Sequence, residues 1–256
     1  LAPFTRDVTY LEEGDWVVLT PDSHDVRNAE GERVNRPRVK SAVNESLIER
    51  GEYDHFMLKE IHEQPESLAR SILPYIDQTT QTLNLGEVAD TLFARADRAV
   101  AIACGTAYYA AHTAKYWFEQ KAKLAFETDI ASEFRYREPV LPQTGPAMFV
   151  SQSGETADTL AALRYCRQNG TPAVAVVNVP ESSIARDAAA IVPTHAGPEI
   201  GVASTKAFTA QLSVLAVLAL SAAKARGHLL PGDEATAVKT LLALPRMVTE
   251  ALKSQD

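Results

Sequence analysis

Residues 147–156 read AMFVSQSGET. Four apolar residues run directly into a turn of hydroxyls, an amide and a glycine, and a helical pattern over 157–168 follows until Asn169-Gly170 stops it. A short apolar run without polar alternation reads as a strand buried on both faces, as strands of parallel sheets are. The same unit recurs on either side. The run AVAIAC at 99–104 ends at Gly105-Thr106 before a helical pattern over 107–123. The run PAVAVVNV at 172–179 leads into Glu181-Ser182-Ser183 and a short helix. Ala190-Ile191-Val192 precedes the loop THAGPEIG at 194–201 and a nearly all-apolar helix over about 204–225. Short apolar strands alternating with helices are βαβ units, so the predicted fold class is α/β with a parallel sheet.

The flanks read differently. Residues 1–45 contain short strand-like runs, Thr9-Tyr10-Leu11 and Trp16-Val17-Val18-Leu19, separated by polar Glu12-Glu13-Gly14-Asp15, and Glu30-Gly31-Glu32 suits the close of a later hairpin. So short a β segment cannot bury a core alone. Between 52 and 80 the spacing of Phe56, Ile61, Leu68, Ile72 and Leu73 predicts two linker helices with a break at Pro65. From Asp233 one more amphipathic helix is expected. The chain has no initiator Met and stops without a closing element, which is the pattern expected of an internal piece of a larger protein.

Composition limits the partners. The 256 residues are 46% hydrophobic and 23% charged, with a formal net charge of −8. An acidic chain without a Lys/Arg run lacks the footprint of nucleic-acid binding. A small anion is still compatible, because a few N–H groups and hydroxyls suffice to hold it. Cys104 and Cys166 form neither a metal set nor a disulfide framework, and a reducing cytoplasmic setting is expected. The apolar run from Leu212 to Ala223 is interrupted by Ser213 and Ser221 and reads as too short for a membrane span.

In open α/β sheets ligands sit beyond the carboxyl ends of the strands. Two strand ends here carry unusual chemistry: Cys104-Gly105-Thr106-Ala107 and Ser151-Gln152-Ser153-Gly154-Glu155-Thr156. Each leads into a helix, whose N-terminus offers unpaired N–H groups and partial positive charge. Gly154 would let the backbone approach a ligand closely. Three hydroxyls in six residues can donate to phosphate oxygens, so the turn reads as a phosphate cradle without a lysine. Plain helix capping would place the same residue types there. The Walker pattern, the serine-hydrolase elbow and GxGxxG are all absent.

Glu199-Ile200-Gly201-Val202-Ala203-Ser204-Thr205-Lys206 is a third candidate, because a Gly before a Ser-Thr pair reads as another helix N-terminus. Lys206, near the start of that helix, opposes the dipole, which points to a ligand or a carboxylate partner, against the simpler reading of a solvated lysine. His195 lies in the loop facing the ligand side. His112 reads as packing or surface. His55 and His62 lack the carboxylates of a metal site. Cys104 reads as a small strand-end residue, and Glu155 either as a base or as ordinary first-turn dipole chemistry.

SQSGETADTL at 151–160, ACGT at 103–106, ASEFRYRE at 131–138 and EIGVASTKAFTAQL at 199–212 resemble the first sugar isomerase (SIS) domain of the glutamine–fructose-6-phosphate aminotransferase family, the glucosamine-6-phosphate synthases. LAPFTRDVTYLEEGD at 1–15 resembles the end of that family's glutaminase domain, and KEIHEQPESL at 59–68 its interdomain linker. The resemblance implies residues 1–45 as the β-rich tail of an N-terminal-nucleophile glutaminase domain and 46–85 as linker helices. It implies 86–230 as an SIS domain with a five-stranded parallel sheet flanked by helices, and 231–256 as a helix leading to a second SIS domain. It further implies fructose 6-phosphate and glutamine as substrates, glucosamine 6-phosphate and glutamate as products, no cofactor or metal, and a homodimer.

By position, Ser151, Gln152, Ser153 and Thr156 match the family's sugar-phosphate contacts, Thr106 another sugar contact, and Val202 a backbone contact to the sugar. Ala107 stands where the family often has a further Ser. The glutaminase nucleophile would lie before Leu1. The acid–base Glu, Schiff-base Lys and ring-opening His would lie beyond Asp256, so no catalytic residue is expected within this chain. Two other readings compete: a stand-alone SIS module that senses a sugar phosphate without catalysis, and a deglycase-type enzyme. The first 45 residues argue against both.

Overall fold

The computed structural model describes residues 5–40 and 49–254. The chain divides into two units, Leu1–Gly51 and Glu52–Asp256.

The first unit holds four short strands: β1 (Asp7–Thr9), β2 (Trp16–Leu19), β3 (His24–Arg27) and β4 (Arg38–Lys40). β1 pairs antiparallel with β4, and β2 with β3. The 9–11 strand predicted from sequence lies two residues earlier. Glu30-Gly31-Glu32 does close a turn, with Asn28 N–H donating to the Glu32 carbonyl at 3.0 Å and a bridge between Arg27 and Arg33. Val26 is the only buried apolar residue among those described here, while Trp16, Val18 and Leu19 are exposed. What ties the unit is polar: Arg36 grips the buried Asp15 carboxylate through Nε at 2.8 Å and Nη2 at 3.0 Å. That fork holds the Asp15 carboxyl below the ordinary carboxylate range.

The second unit opens with α1 (Phe56–His62) and α2 (Gln64–Ile72), with Pro65 in the first turn of α2, where its missing N–H costs nothing. A small hairpin, β5 (Ile76–Asp77) and β6 (Thr82–Leu83), and α3 (Glu87–Leu92) follow. The sheet begins with β7 (Arg98–Ala103), then α4 (Gly105–Trp117), extended by a π turn over Phe118–Ala122, then β8 (Ala125–Ile130) and α5 (Ala131–Phe134). β9 (Ala147–Ser151), α6 (Ala157–Gln168), β10 (Ala173–Val177), α7 (Ser183–Asp187) and β11 (Ala190–Pro193) continue the alternation. It ends with α8 (Lys206–Ala225) and α9 (Pro231–Leu252).

The five strands β7 to β11 form one parallel sheet in the order β11-β10-β9-β7-β8. Alternate residues face opposite layers, as the strand period of two requires. Ala99, Ala101, Ala103, Met148 and Val150 join the layer of α2, α4, α8 and α9. Val100, Ile102, Ala147 and Phe149 join that of α5, α6 and α7. The first-mentioned layer includes Phe118 stacked on Phe126 at 4.4 Å between ring centroids. β8 is the element that the apolar runs did not reveal. It is an edge strand with alternating exposed positions, so no continuous run marks it.

α8 is 20 residues long, longer than the Leu212–Ala223 run, and by length and composition alone apolar enough to cross a bilayer. Its most apolar window is 72% buried within the protein, because it is the central helix of the core, against which α2 and α4 pack.

Chain order reverses at β7, whose neighbours are β8 on one side and β9 on the other. The loops after β7 and β9 therefore diverge and leave a crevice at their carboxyl ends.

Candidate functional site

That crevice is a cleft of about 230 Å³ lined by Cys104, Thr106 and Ala107 from the β7–α4 turn, Val150 to Ser153 and Thr156 from the β9–α6 turn, and Glu199, Ser204 and Gln211 from the last loop and α8. It is smaller than the roughly 300–1,000 Å³ of drug-sized sites, the scale of a small metabolite. Five of the six residues predicted from sequence line it: Thr106, Ser151, Gln152, Ser153 and Thr156. Val202 does not. Its side chain is fully exposed, on a segment whose neighbours Ile200 and Gly201 are drawn toward Glu60.

The β9–α6 turn is organised by its own hydroxyls. Ser151 Oγ accepts the Gly154 N–H at 3.0 Å and lies 3.1 Å from Thr156 Oγ1. One proton bridges that pair, which leaves the other hydroxyl proton for a ligand. Ser153 Oγ accepts the Glu155 N–H at 3.1 Å and keeps its proton free to donate. Neither Thr156 nor Cys104, the residues at the starts of α6 and α4, caps its helix with its side chain. The hydroxyls of this turn therefore serve the turn's own N–H groups and not a side-chain cap at the start of either helix. Two helix N-termini face one cleft with first-turn N–H groups lacking intrahelical partners, an anion-binding arrangement with no Lys or Arg in its lining.

Gly154 serves a different purpose from the one its sequence context suggested. It adopts φ +67°, and a Cβ there would lie 1.9 Å from Ser182 Oγ. Its constraint is the close approach of the α7 start, sealed by the Ile184 N–H donating to the Gly154 carbonyl at 3.0 Å.

Gln152 Nε2 donates to the Gly197 carbonyl at 3.1 Å, and Asn178 holds the same residue through both its backbone groups, receiving the Gly197 N–H and donating to its carbonyl, each at 3.0 Å. This fastens the 194–201 loop to the strand ends. Glu199 Oε1 accepts the N–H groups of Thr205 and Ala207 at 2.9 and 3.1 Å, so it caps α8 from outside the helix.

The remaining candidates are committed elsewhere. Lys206 is buried and its Nζ lies 2.6 Å from Glu63 Oε2, which identifies the carboxylate partner and removes the solvated reading. Glu155 Oε1 accepts the Ser183 N–H at 2.8 Å at the start of α7. His195 is absent from the cleft lining. It sits at φ +51° beside Tyr75, where burial lowers its pKa. His112 is exposed and pairs with Thr128 Oγ1 at 3.0 Å, and His62 stacks on Tyr53. Among the described residues no cluster of His, Cys, Asp or Glu is arranged to hold a metal.

The family model for the SIS domain matches residues 92–221, the span that contains the sheet and the cleft. The chain belongs to the SIS domain family. Relatives named glutamine–fructose-6-phosphate aminotransferase (isomerizing) from Bradyrhizobium diazoefficiens and Brucella abortus are 52% and 51% identical over 255 and 256 residues. Those matches span all of this chain and 42% of each relative. A solved structure, the C-terminal domain of glucosamine-fructose-6-phosphate aminotransferase from Francisella tularensis, superposes with a TM-score of 0.77 at 40% identity. It covers 80% of this chain and 57% of its own. The SIS fold thus carries the cleft at its sheet's switch point.

Glu199 and Ser204 belong to the helix start expected at 199–206, whereas Gln211 is a cleft residue that sequence reasoning did not single out. Their stretch was quoted as a motif, but nothing in spacing alone brings residues 199–211 to the turn at 151–156.

Proposed function

We propose that this chain supplies the sugar-phosphate-binding SIS domain of a glutamine–fructose-6-phosphate aminotransferase, a transferase of amino-sugar biosynthesis. The parent enzyme would convert fructose 6-phosphate and glutamine into glucosamine 6-phosphate and glutamate. One observation carries this reading: hydroxyls of Ser151, Ser153 and Thr156 gather with two uncapped helix starts in one small cleft. In this reading the phosphate sits on the 151–156 turn and the sugar extends past Thr106.

Schiff-base chemistry needs a lysine beside the sugar carbonyl, and isomerisation needs a carboxylate that moves a proton between neighbouring carbons. Lys206 is paired with Glu63, and Glu155 receives the Ser183 N–H, so neither is assigned those tasks. The chain binds and orients the substrate, and other parts of the enzyme perform the chemistry. The same reading takes 1–45 as the end of a glutaminase domain, 46–85 as linker helices, 86–230 as the first SIS domain and 231–256 as the lead to a second. Glutamine would bind at the glutaminase part. A cytoplasmic homodimer is the form this reading expects.

Calorimetric titration with fructose 6-phosphate, fructose and inorganic phosphate tests it, followed by an assay for glucosamine 6-phosphate. Saturable binding of the phosphorylated sugar, absent for fructose, without turnover by this chain alone is expected. Equal affinity for fructose would remove the cradle from the account.

A further inference from the structure

Buried polar groups in folded proteins are nearly always hydrogen-bonded, and an orphan costs free energy. Among the described residues, two amide oxygens without partners, Gln152 Oε1 and Gln211 Oε1, belong to residues lining the same cleft. Gln152 belongs to the phosphate-side turn already described. Gln211 does not. It sits in the second turn of α8, 2% exposed, surrounded in sequence by apolar core residues of that helix. An amide oxygen buried there without a protein partner is accounted for if a ligand completes it.

The two walls of the cleft differ in hydrogen-bonding sense. The wall at 151–156 and the starts of α4 and α6 offers mainly donors, which suit phosphate, with Gln152 Oε1 its one unpartnered acceptor among the described residues. The wall from 199 to 211 offers a carboxylate, Glu199, and the orphan amide oxygen of Gln211, which are acceptors. A phosphate dianion cannot donate to an acceptor, but a sugar hydroxyl can. We propose that Gln211 is a sugar-selecting residue: its side-chain oxygen accepts a hydrogen bond from a hydroxyl of a phosphorylated polyol whose phosphate rests on the 151–156 turn. This rests on the sugar-phosphate reading of the cleft and adds to it the residue that separates a sugar phosphate from bare phosphate.

The test uses the full chain and the ratio of its affinities for fructose 6-phosphate and inorganic phosphate, the latter measured by competition. Gln211→Met conserves volume and removes the orphan oxygen. It is expected to lower the ratio about tenfold through weaker fructose 6-phosphate binding, with phosphate affinity unchanged and thermal stability equal or higher. Gln211→Glu keeps an acceptor in the same place and is expected to hold the ratio near that of the wild type, which a purely structural role would not produce. A Gln211→Met ratio equal to wild type, as when a water alone satisfies the amide, overturns the assignment while leaving the cleft a sugar-phosphate site. An equal loss for both ligands overturns it too. If the wild type binds no fructose 6-phosphate, the functional reading itself falls, and this inference with it.

Discussion

Lys206 Nζ lies 2.6 Å from Glu63 Oε2, an ion pair that ties the first residue of α8 to the junction between α1 and α2, with the lysine side chain 3% exposed. Burial pushes the Glu63 carboxyl up, but the hydrogen bond and charge of Lys206, with Lys59 3.3 Å away, more than offset this and hold it below the ordinary carboxylate range. The depressed value means the unfolded chain binds more protons in acid. The pair's contribution is therefore complete at neutral pH and is lost as pH falls through and below the usual carboxylate range. Lys206→Met should cost about 3 kcal/mol at pH 7, because it leaves a partly buried carboxylate without its main partner. It should also flatten the acid limb of a urea-denaturation profile. An unchanged acid limb would place the proton-linked stability elsewhere.

Gly154 and Ser182 are similarly interdependent. Gly154→Ala places a methyl in a left-handed backbone and against Ser182 Oγ and Cβ. A cost of about 3 kcal/mol is expected, part from the backbone and part from the overlap. The double variant Gly154→Ala/Ser182→Gly should recover the steric part and retain about 1 kcal/mol of backbone cost. Additive losses in thermal denaturation would show that the two residues do not constrain each other.

The alternation of strands and helices was legible because β9 and β10 are buried along their whole length and so appear as unbroken apolar runs. The boundaries of α6 coincide with the expected 157–168. β8 was illegible from its runs because an edge strand faces solvent on alternate residues. The donor side of the cleft was visible as hydroxyls at a strand end, since its groups are contiguous in sequence. The acceptor side was not. Glu199 and Gln211 reach Ser151 only through the path of the chain around β10 and β11, and a single glutamine in an apolar helix carries no periodic signal. The ion pair of Lys206 with Glu63 spans 143 positions and is invisible to local spacing.

Cys104 is placed to report occupancy of the cleft, with Cys166 as the internal control. Cys104 lines it and is partly exposed, whereas Cys166 is fully buried in α6, where burial pushes its thiol up to about 12. Iodoacetamide at neutral pH should modify Cys104 and leave Cys166 intact, since the thiolate is the reactive form. Fructose 6-phosphate at ten times its dissociation constant should slow the Cys104 reaction about tenfold by mass action. Mass spectrometry of the labelled peptides reads both. Labelling of Cys104 at an unchanged rate under saturating ligand would put the sugar phosphate outside this cleft.

Ser151 and Thr156 have unequal duties despite sharing one hydrogen bond. Ser151 Oγ also receives the Gly154 N–H, so Ser151→Ala leaves that buried amide unpaired and is expected to lower stability by about 1 to 2 kcal/mol as well as weakening binding. Thr156 Oγ1 has only Ser151 and the cleft before it, so Thr156→Ala should affect binding with little change in melting temperature. Together the substitutions should weaken fructose 6-phosphate binding by about 1.5 to 3 kcal/mol, the worth of the one charge-assisted contact that the pair's free proton can make. Calorimetry beside thermal denaturation separates the two effects. A Thr156→Ala chain that binds as tightly as wild type would mean the Ser151–Thr156 pair only shapes the turn, and the phosphate would then have to be held by the helix N–H groups and Ser153.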